Sequence, residues 1–244
     1  MTPATIAIIG AGKFGTALHR LLTRYAPDVP VIVIDLIPGG DRLPDLPRLN
    51  RCDVIIPAVP ISAFASVLGQ IAPHLRGDAL VIDVCTVKHY PTEQMIQHLP
   101  ASVDLISSHP LFGPESLAAA GWDLGGLNLV LWPTRIPRAR FDALLDALRP
   151  TGLNLIELSP EEHDRILADS QFLSLLVGNL LTRLDIRSTA MNTRSFDELL
   201  DVKATTANDF AILRDVFRYN PYCAPVLERL RATFAALVDD LNAG

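Results

Sequence analysis

The sequence predicts an α/β chain: a largely parallel sheet wrapped by helices in its first two thirds, then helices alone. Three observations predict this. Short Val/Ile/Leu-rich runs alternate with stretches of helical period as far as residue 158. A glycine cluster, "GAGKFG", stands between the first such run and the first helical stretch. After residue 159 the strand-like runs stop and only helical spacing remains. The 244 residues suit one large domain or two modest ones, and the change of pattern divides them into 1–158 and 159–244.

The elements follow in order. "TIAIIGAGKFG" is an apolar run closed by glycines, and Phe14, Ala17, Leu18, Leu21 and Leu22 then recur at helical spacing. "VPVIVID" is a second strand ending in Asp35, which completes a strand–turn–helix–strand unit. A Pro/Gly-rich loop, "IPGGDRLPDLP" (37–47), leads to a third strand in "CDVIIPAVP" (52–60). Further strands are expected in "ALVIDV" (79–84), "VDLISS" (103–108), "LNLVLW" (127–132) and "LNLIEL" (153–158). Continuous apolar runs of this kind fit a largely parallel sheet covered on both faces. The stretch from Ser159 to Asp185 reads as a helix, with Ser159 as N-cap, Pro160 at its first position and acidic residues in its first turn. Ile166, Ser170, Leu173, Val177, Leu180 and Leu184 form its stripe, and Phe172, Leu175, Leu176 and Leu181 make its other faces apolar. A helix apolar nearly all round is buried. In so short a segment that burial calls for a second subunit, so a homodimer through the helical domain is expected. The last stretch repeats apolar residues at Val226, Leu230, Phe234, Leu237 and Leu241.

Composition excludes several classes. The chain is 49% hydrophobic with a net charge of −6 and no clustered basic face, so no nucleic-acid partner is expected. No apolar stretch is long enough to span a membrane. Cys52, Cys85 and Cys223 are odd in number and far apart, which argues against a disulfide framework and against a zinc site; no metal is expected. With no leader-like segment ahead of the first strand, the reading is a reduced, cytoplasmic protein.

Gly10, Gly12 and Gly15 stand in GxGxxG spacing. The first glycine permits the tight turn, the second lets backbone approach a pyrophosphate, and the third lets helix and strand pack closely. The helix N-terminus, with Lys13 and Phe14, then offers free N–H groups to an anion. The motif follows a strand, opens a helix and has an acidic residue closing the next strand, which is the context that makes it a dinucleotide site in a Rossmann domain. Asp35 accepts hydrogen bonds from a ribose 2′-hydroxyl and repels a 2′-phosphate, so NAD is expected over NADP, with Arg42 in the next loop working against that preference. Val59 and Pro60 either face the cofactor or simply end the third strand.

"GAGKFG", "DVCTVK", "QHLP", "SHPLFGPES", "EEHD", "SQF", "MNT" (191–193) and "FRYN…LERL" occur in that order over nearly the whole chain. With them the sequence resembles the prephenate and arogenate dehydrogenases of tyrosine biosynthesis, the plant-type arogenate enzymes most. The resemblance implies NAD-dependent oxidation and decarboxylation of a cyclohexadienol, driven by aromatisation, and a helical domain that dimerises. It places the family's histidine on His109, assigned to the substrate hydroxyl, and a hydroxyl on Thr86, where the family usually has serine. Threonine keeps that hydroxyl but stiffens χ1; its plain alternative is a turn or cap. Lys88 either supports the loop, attracts an acidic substrate or is solvated. Glu115 either bonds within the pocket or orders the Phe-Gly-Pro turn.

Two departures bear on the substrate. After "SQF" the family has a histidine within one helical turn; here that position is Leu175, leaving Gln171 and Ser174 as the nearby polar groups. The arginine with which bacterial prephenate enzymes grip a carboxylate aligns with Asp215, with Arg214 beside it and Arg218 one turn on. Arg214 is the candidate for substrate binding, against a solvated helix face. The substrate readings are arogenate first, prephenate second, and a 4-amino-4-deoxyprephenate of secondary metabolism third. Outside that chemistry stand a β-hydroxyacid or imine-reducing dehydrogenase on the same plan, and an NAD-binding regulator without catalysis.

Overall fold

The computed structural model of the protein describes residues 4–36, 40, 42–206 and 210–243. Residues 37–39 and 41 of the predicted Pro/Gly-rich loop lie outside the described residues. The chain divides after Pro160 into two compact units.

The first unit is a seven-stranded sheet in the order β2-β1-β3-β4-β5-β6-β7. Its strands are β1 (Ile6–Ile9), β2 (Val31–Ile34), β3 (Val54–Pro57), β4 (Leu80–Asp83), β5 (Asp104–Pro110), β6 (Asn128–Arg135) and β7 (Asn154–Glu157). The helices between them are α1 (Lys13–Tyr25), α2 (Ile61–Ile71), α3 (His89–His98), α4 (Pro114–Ala119) and α5 (Arg138–Leu148). Strands β1 to β5 pair in parallel, β6 runs antiparallel to β5, and β7 pairs in parallel with β6. From β1 the chain goes out to β2, then returns past β1 to β3. This reversal is the point at which open α/β sheets bind ligands, in the crevice beyond the carboxyl ends of the strands.

Alternation on the strands divides the core. Ala7, Ile9, Ile55, Val81 and Leu105 pack with Phe64, Leu68 and Ile71 of α2 and Met95 of α3. Their sequence neighbours Leu80 and Ile106 join Leu129, Leu131 and Phe141 in a cluster with α5. A third cluster unites α1 and α4 through Ala17, Leu21 and Leu117. Cover on both faces does not extend to β7. It is an edge strand with one neighbour, and Ile156 is 37% exposed.

The second unit is helical: α6 (Pro160–Asp169), α7 (Gln171–Arg183), α8 (Arg194–Thr206), α9 (Phe210–Tyr219) and α10 (Cys223–Asn242). The single helix expected from Ser159 to Asp185 is therefore two. The break falls at Ser170 (φ −123°, ψ −86°), whose Oγ donates to the Ile166 carbonyl oxygen at 2.6 Å. A serine bonded back four residues competes with the helix ladder. The break also changes which face is buried: Leu167, Ala168, Phe172 and Leu175 are buried, whereas Ile166, Leu180 and Leu184 of the expected stripe are exposed. Helices α7 and α8 meet closely at Gly178, where a Cβ would stand 1.7 Å from Thr206 Oγ1. On α10, Val226 is buried but Leu230, Phe234, Leu237 and Leu241 are exposed.

Candidate active site

Backbone contacts shape the glycine loop. Gly10 has φ +109°, and a Cβ on it would stand 2.5 Å from the Ala58 carbonyl oxygen and 3.1 Å from Val59 Cγ1. A Cβ on Gly15 would stand 2.0 Å from the Gly10 carbonyl oxygen. Both positions exclude a side chain: Gly10 is pressed against Ala58 and Val59 after β3, and Gly15 against the carbonyl of Gly10 itself. Gly12 differs: nothing lies within 4 Å of a Cβ there. It is the N-cap of α1 in extended conformation, exposed, with Lys13 and Phe14 opening the helix. Open space in front of unpaired helix N–H groups fits a pyrophosphate. Asp35 follows β2 directly, exposed, and its Oδ1 accepts the Leu36 N–H at 2.9 Å. Arg42 is exposed as well.

The carboxyl ends of β4 and β5 form the second part of the site. Asp83 ends β4 and is fully buried. Thr86 is half-buried in the bend that follows, and Lys88 is the N-cap of α3. Lys88 is 1% exposed, and its Nζ donates to Asp83 Oδ1 at 2.5 Å, to Asp83 Oδ2 at 2.6 Å and to the Ser108 carbonyl oxygen at 2.5 Å. The solvated reading of Lys88 is overturned by this geometry, because the ammonium is fully buried and donates to protein acceptors. Burial pushes the Asp83 carboxyl up, opposed by the Lys88 charge and by the N–H groups of Cys85 and Ser108. Burial, then the charge of Asp83, push the neighbouring Cys85 thiol well up, which makes it a poor nucleophile.

His109 is buried near the end of β5, paired across to Val130 of β6. Beneath it, Ser107 Oγ lies 2.6 Å from Thr92 Oγ1 and 2.8 Å from Thr134 Oγ1, so three hydroxyls tie α3, β5 and β6 together. After Pro110 the chain turns through Phe112 and Gly113 into α4. There Ser116 Oγ accepts the Gly113 N–H at 2.9 Å. Glu115 is exposed, and its Oε1 accepts from Lys13 Nζ at 3.3 Å, which connects the glycine loop to the segment after His109. Its own backbone N–H, then Lys13, hold the Glu115 carboxyl below the usual range.

In the second unit, Leu175 is buried on α7, and Gln171, half-buried, opens that helix. Ser174 is exposed and donates to the Ser170 carbonyl oxygen at 3.2 Å. Arg214 is exposed on α9, 3.6 Å from Asp215 Oδ1. Two polar groups went unassigned in the sequence reading. Asp164 is buried, its Oδ1 2.8 Å from His163 Nδ1, and buried Asn220 donates to the Asp164 carbonyl oxygen at 2.8 Å. In the first unit the missed residue is Asp83, for which a signal existed: an aspartate closing an apolar strand with a lysine five residues on.

Residues 39–156 match the prephenate dehydrogenase nucleotide-binding domain, and residues 180–244 match the TYRAAT1-like C-terminal domain. Arogenate dehydrogenase 2, chloroplastic, of Arabidopsis thaliana is 32% identical over 97% of this chain and 69% of its own length. The chain belongs to the prephenate and arogenate dehydrogenase family.

Arogenate dehydrogenase 1, chloroplastic, of the same plant is 31% identical over 98% of the chain, but the chain spans only 40% of that relative. Among solved structures, prephenate dehydrogenase from Aquifex aeolicus, in complex with hydroxyphenyl propionate and NAD+, shares the fold. Its TM-score is 0.76 at 18% identity, covering 100% of this chain and 92% of that one. Within the family match to the nucleotide-binding domain fall Thr86, Lys88, His109 and Glu115. Leu175, the departure in the helical unit, lies between the two matched ranges.

Proposed function

We propose that this protein catalyses the NAD-dependent oxidative decarboxylation of a prephenate-like cyclohexadienol to its aromatic product, in tyrosine biosynthesis, with arogenate as the preferred substrate. The observation that carries the reading is His109: buried at the carboxyl end of β5, the strand paired with the β4 that leads into the Thr86 bend, on a sheet whose first helix offers open backbone at Gly12. The cofactor would be held by Gly10, Gly12, Lys13, Phe14 and Gly15, by Val59 and Pro60 at the end of β3, and by Asp35 at the ribose. When bound, NAD supplies the acceptor for the hydride that leaves the ring carbon bearing the hydroxyl.

The protein's part is proton transfer and placement. An imidazole nitrogen of His109 accepts the hydroxyl proton as the hydride leaves and returns it to the ring oxygen once the carboxylate is lost, and Thr86 supplies a hydroxyl to orient that exchange. Loss of the ring carboxylate as carbon dioxide returns its bonding pair to the ring, which becomes aromatic. That gain removes any need for a strong base, so positioning supplies most of what the protein adds. Roles in substrate binding are also proposed for Glu115 in the first unit and for Gln171, Ser174 and Arg214 in the second. A fork of N–H donors on Arg214 suits a carboxylate.

Four further readings accompany the reaction. Exposed Asp35 supports NAD over NADP. The exposed apolar residues of α10 support a homodimer through the helical unit. Three free, buried cysteines support a reducing, cytoplasmic setting. Leu175 favours a second substrate, the 4-amino-4-deoxy analogue, since a buried leucine there cannot bond the group that a histidine would.

The test is a side-by-side assay of arogenate, prephenate and 4-amino-4-deoxyprephenate with NAD and with NADP, following reduced nicotinamide by absorbance. Fastest turnover with arogenate and NAD is expected. Binding of NAD without turnover of any of the three acids makes the protein a regulator instead, and a higher kcat/KM with NADP removes the role given to Asp35.

A further inference from the structure

Two segments carry the groups assigned to the proton step, and one buried ion pair joins them. Thr86 lies in the bend from Asp83 to Lys88, whereas His109 follows Ser108 on β5. Lys88 Nζ bonds both carboxylate oxygens of Asp83 and the Ser108 carbonyl oxygen, which belongs to the peptide unit leading into His109. Ser108 returns the connection. Its Oγ donates to the Asp83 carbonyl oxygen at 2.5 Å, and its N–H to Asp83 Oδ2 at 3.2 Å. The same carboxylate accepts the Cys85 N–H at 2.8 Å, one residue before Thr86.

The place of this cluster in the sheet gives it a purpose. The β4–β5 ladder ends at the pair Asp83 and Ser107. Beyond it, β5 continues through His109 and Pro110 with β6 alongside. On the β4 side, the backbone entering His109 is held by Lys88 where the ladder has stopped. An ammonium on a long stem reaches three acceptors at once, which no neutral side chain of that length does.

We propose that Lys88 is a positioning residue: through Asp83 and the Ser108 carbonyl it fixes His109 relative to the Thr86 bend, without contacting the substrate. This rests on the reaction proposed above. It differs from a substrate-binding lysine in a measurable way, because it predicts an effect on turnover rather than on substrate affinity.

Lys88→Met alone strands the Asp83 charge in the interior and can lose the fold. The variant to make is therefore Lys88→Met/Asp83→Asn, which removes both charges and keeps an acceptor for the Cys85 and Ser108 N–H groups. Lys88→Arg, which keeps the charge and changes the reach, is made beside it. Each is examined for melting temperature, NAD affinity, kcat and KM, and for the ring carbon resonance of His109 in protein labelled at histidine, assigned with His109→Asn. In the double variant, kcat should fall at least 100-fold with KM and NAD affinity within about threefold, and the His109 resonance should shift or broaden while those of His19, His74, His98 and His163 stay in place. Lys88→Arg should show the same pattern with a loss of at least tenfold, and it decides the matter if the double variant does not fold. Normal kcat in a folded variant overturns the proposal, as does an unmoved His109 resonance or a loss confined to KM. Should the wild-type protein turn over none of the three acids, the reaction reading fails and the resonance alone decides whether Lys88 fixes His109.

Discussion

Gly12 and Gly10 respond in opposite ways to one added methyl group. At Gly12 the space is open and φ is ordinary, so Gly12→Ala should keep the melting temperature within about 2 °C, while the KM for NAD rises roughly tenfold or more because the methyl occupies the approach to the pyrophosphate. At Gly10 the methyl meets backbone at 2.5 Å under a positive φ, so Gly10→Ala should cost roughly 1–3 kcal/mol of stability as well, read by denaturant unfolding. His109→Asn should lower kcat by about 10²–10⁴-fold and leave NAD affinity, measured by fluorescence titration, unchanged. These residues were legible in the sequence because their signals are local: a spacing of glycines and a histidine inside a specific octapeptide. The part played by Lys88 was not. It depends on Ser108, twenty residues away, and only the pairing of β4 with β5 brings the two together.

Elements were legible where one neighbour decides them. The alternation of apolar runs with helical stretches gave all seven strands, because a buried strand needs apolar residues on both faces. Strand direction was another matter: β5 and β6 run antiparallel, and nothing in the run "LNLVLW" marks that. The break at Ser170 was hidden because the apolar spacing continues through it while the backbone does not. At the other end of the sheet, β1 and β3 are tied at their starts by Asp53. Its carboxylate accepts the Thr5 N–H at 2.7 Å and Arg76 at 2.8 Å. The Thr5 N–H, then Arg76, hold this carboxyl below its usual range. A folded value below the unfolded one means stabilisation that is present above the unfolded value of about 3.9 and lost as pH falls through the folded value. Asp53→Asn should therefore lower the melting temperature at pH 7, and the difference from wild type should shrink below about pH 4. A difference of equal size at pH 7 and pH 3 would mean the contact is steric rather than ionic.

For the whole molecule, the exposed face of α10 is the feature that composition could only suggest. Phe234 is 66% and Leu241 74% exposed, on the helix whose first turn buries Val226. If a second copy covers them, as proposed, Phe234→Asp should convert the species seen by sedimentation velocity from dimer to monomer, and its thermal unfolding should shift downward. A wild-type chain that sediments as a monomer at micromolar concentration removes that reading. The buried Asp83–Lys88 pair has a further consequence, for how the sequence can drift. Losing either partner alone strands a charge at a cost of about 3–5 kcal/mol, against a total stability of about 5–15 kcal/mol. Losing both charges together, with an acceptor kept at position 83 for the Cys85 and Ser108 N–H groups, costs the fold less. A lineage that changes these positions one step at a time must therefore pass through a markedly destabilised intermediate, which couples the two positions whatever chemistry they serve.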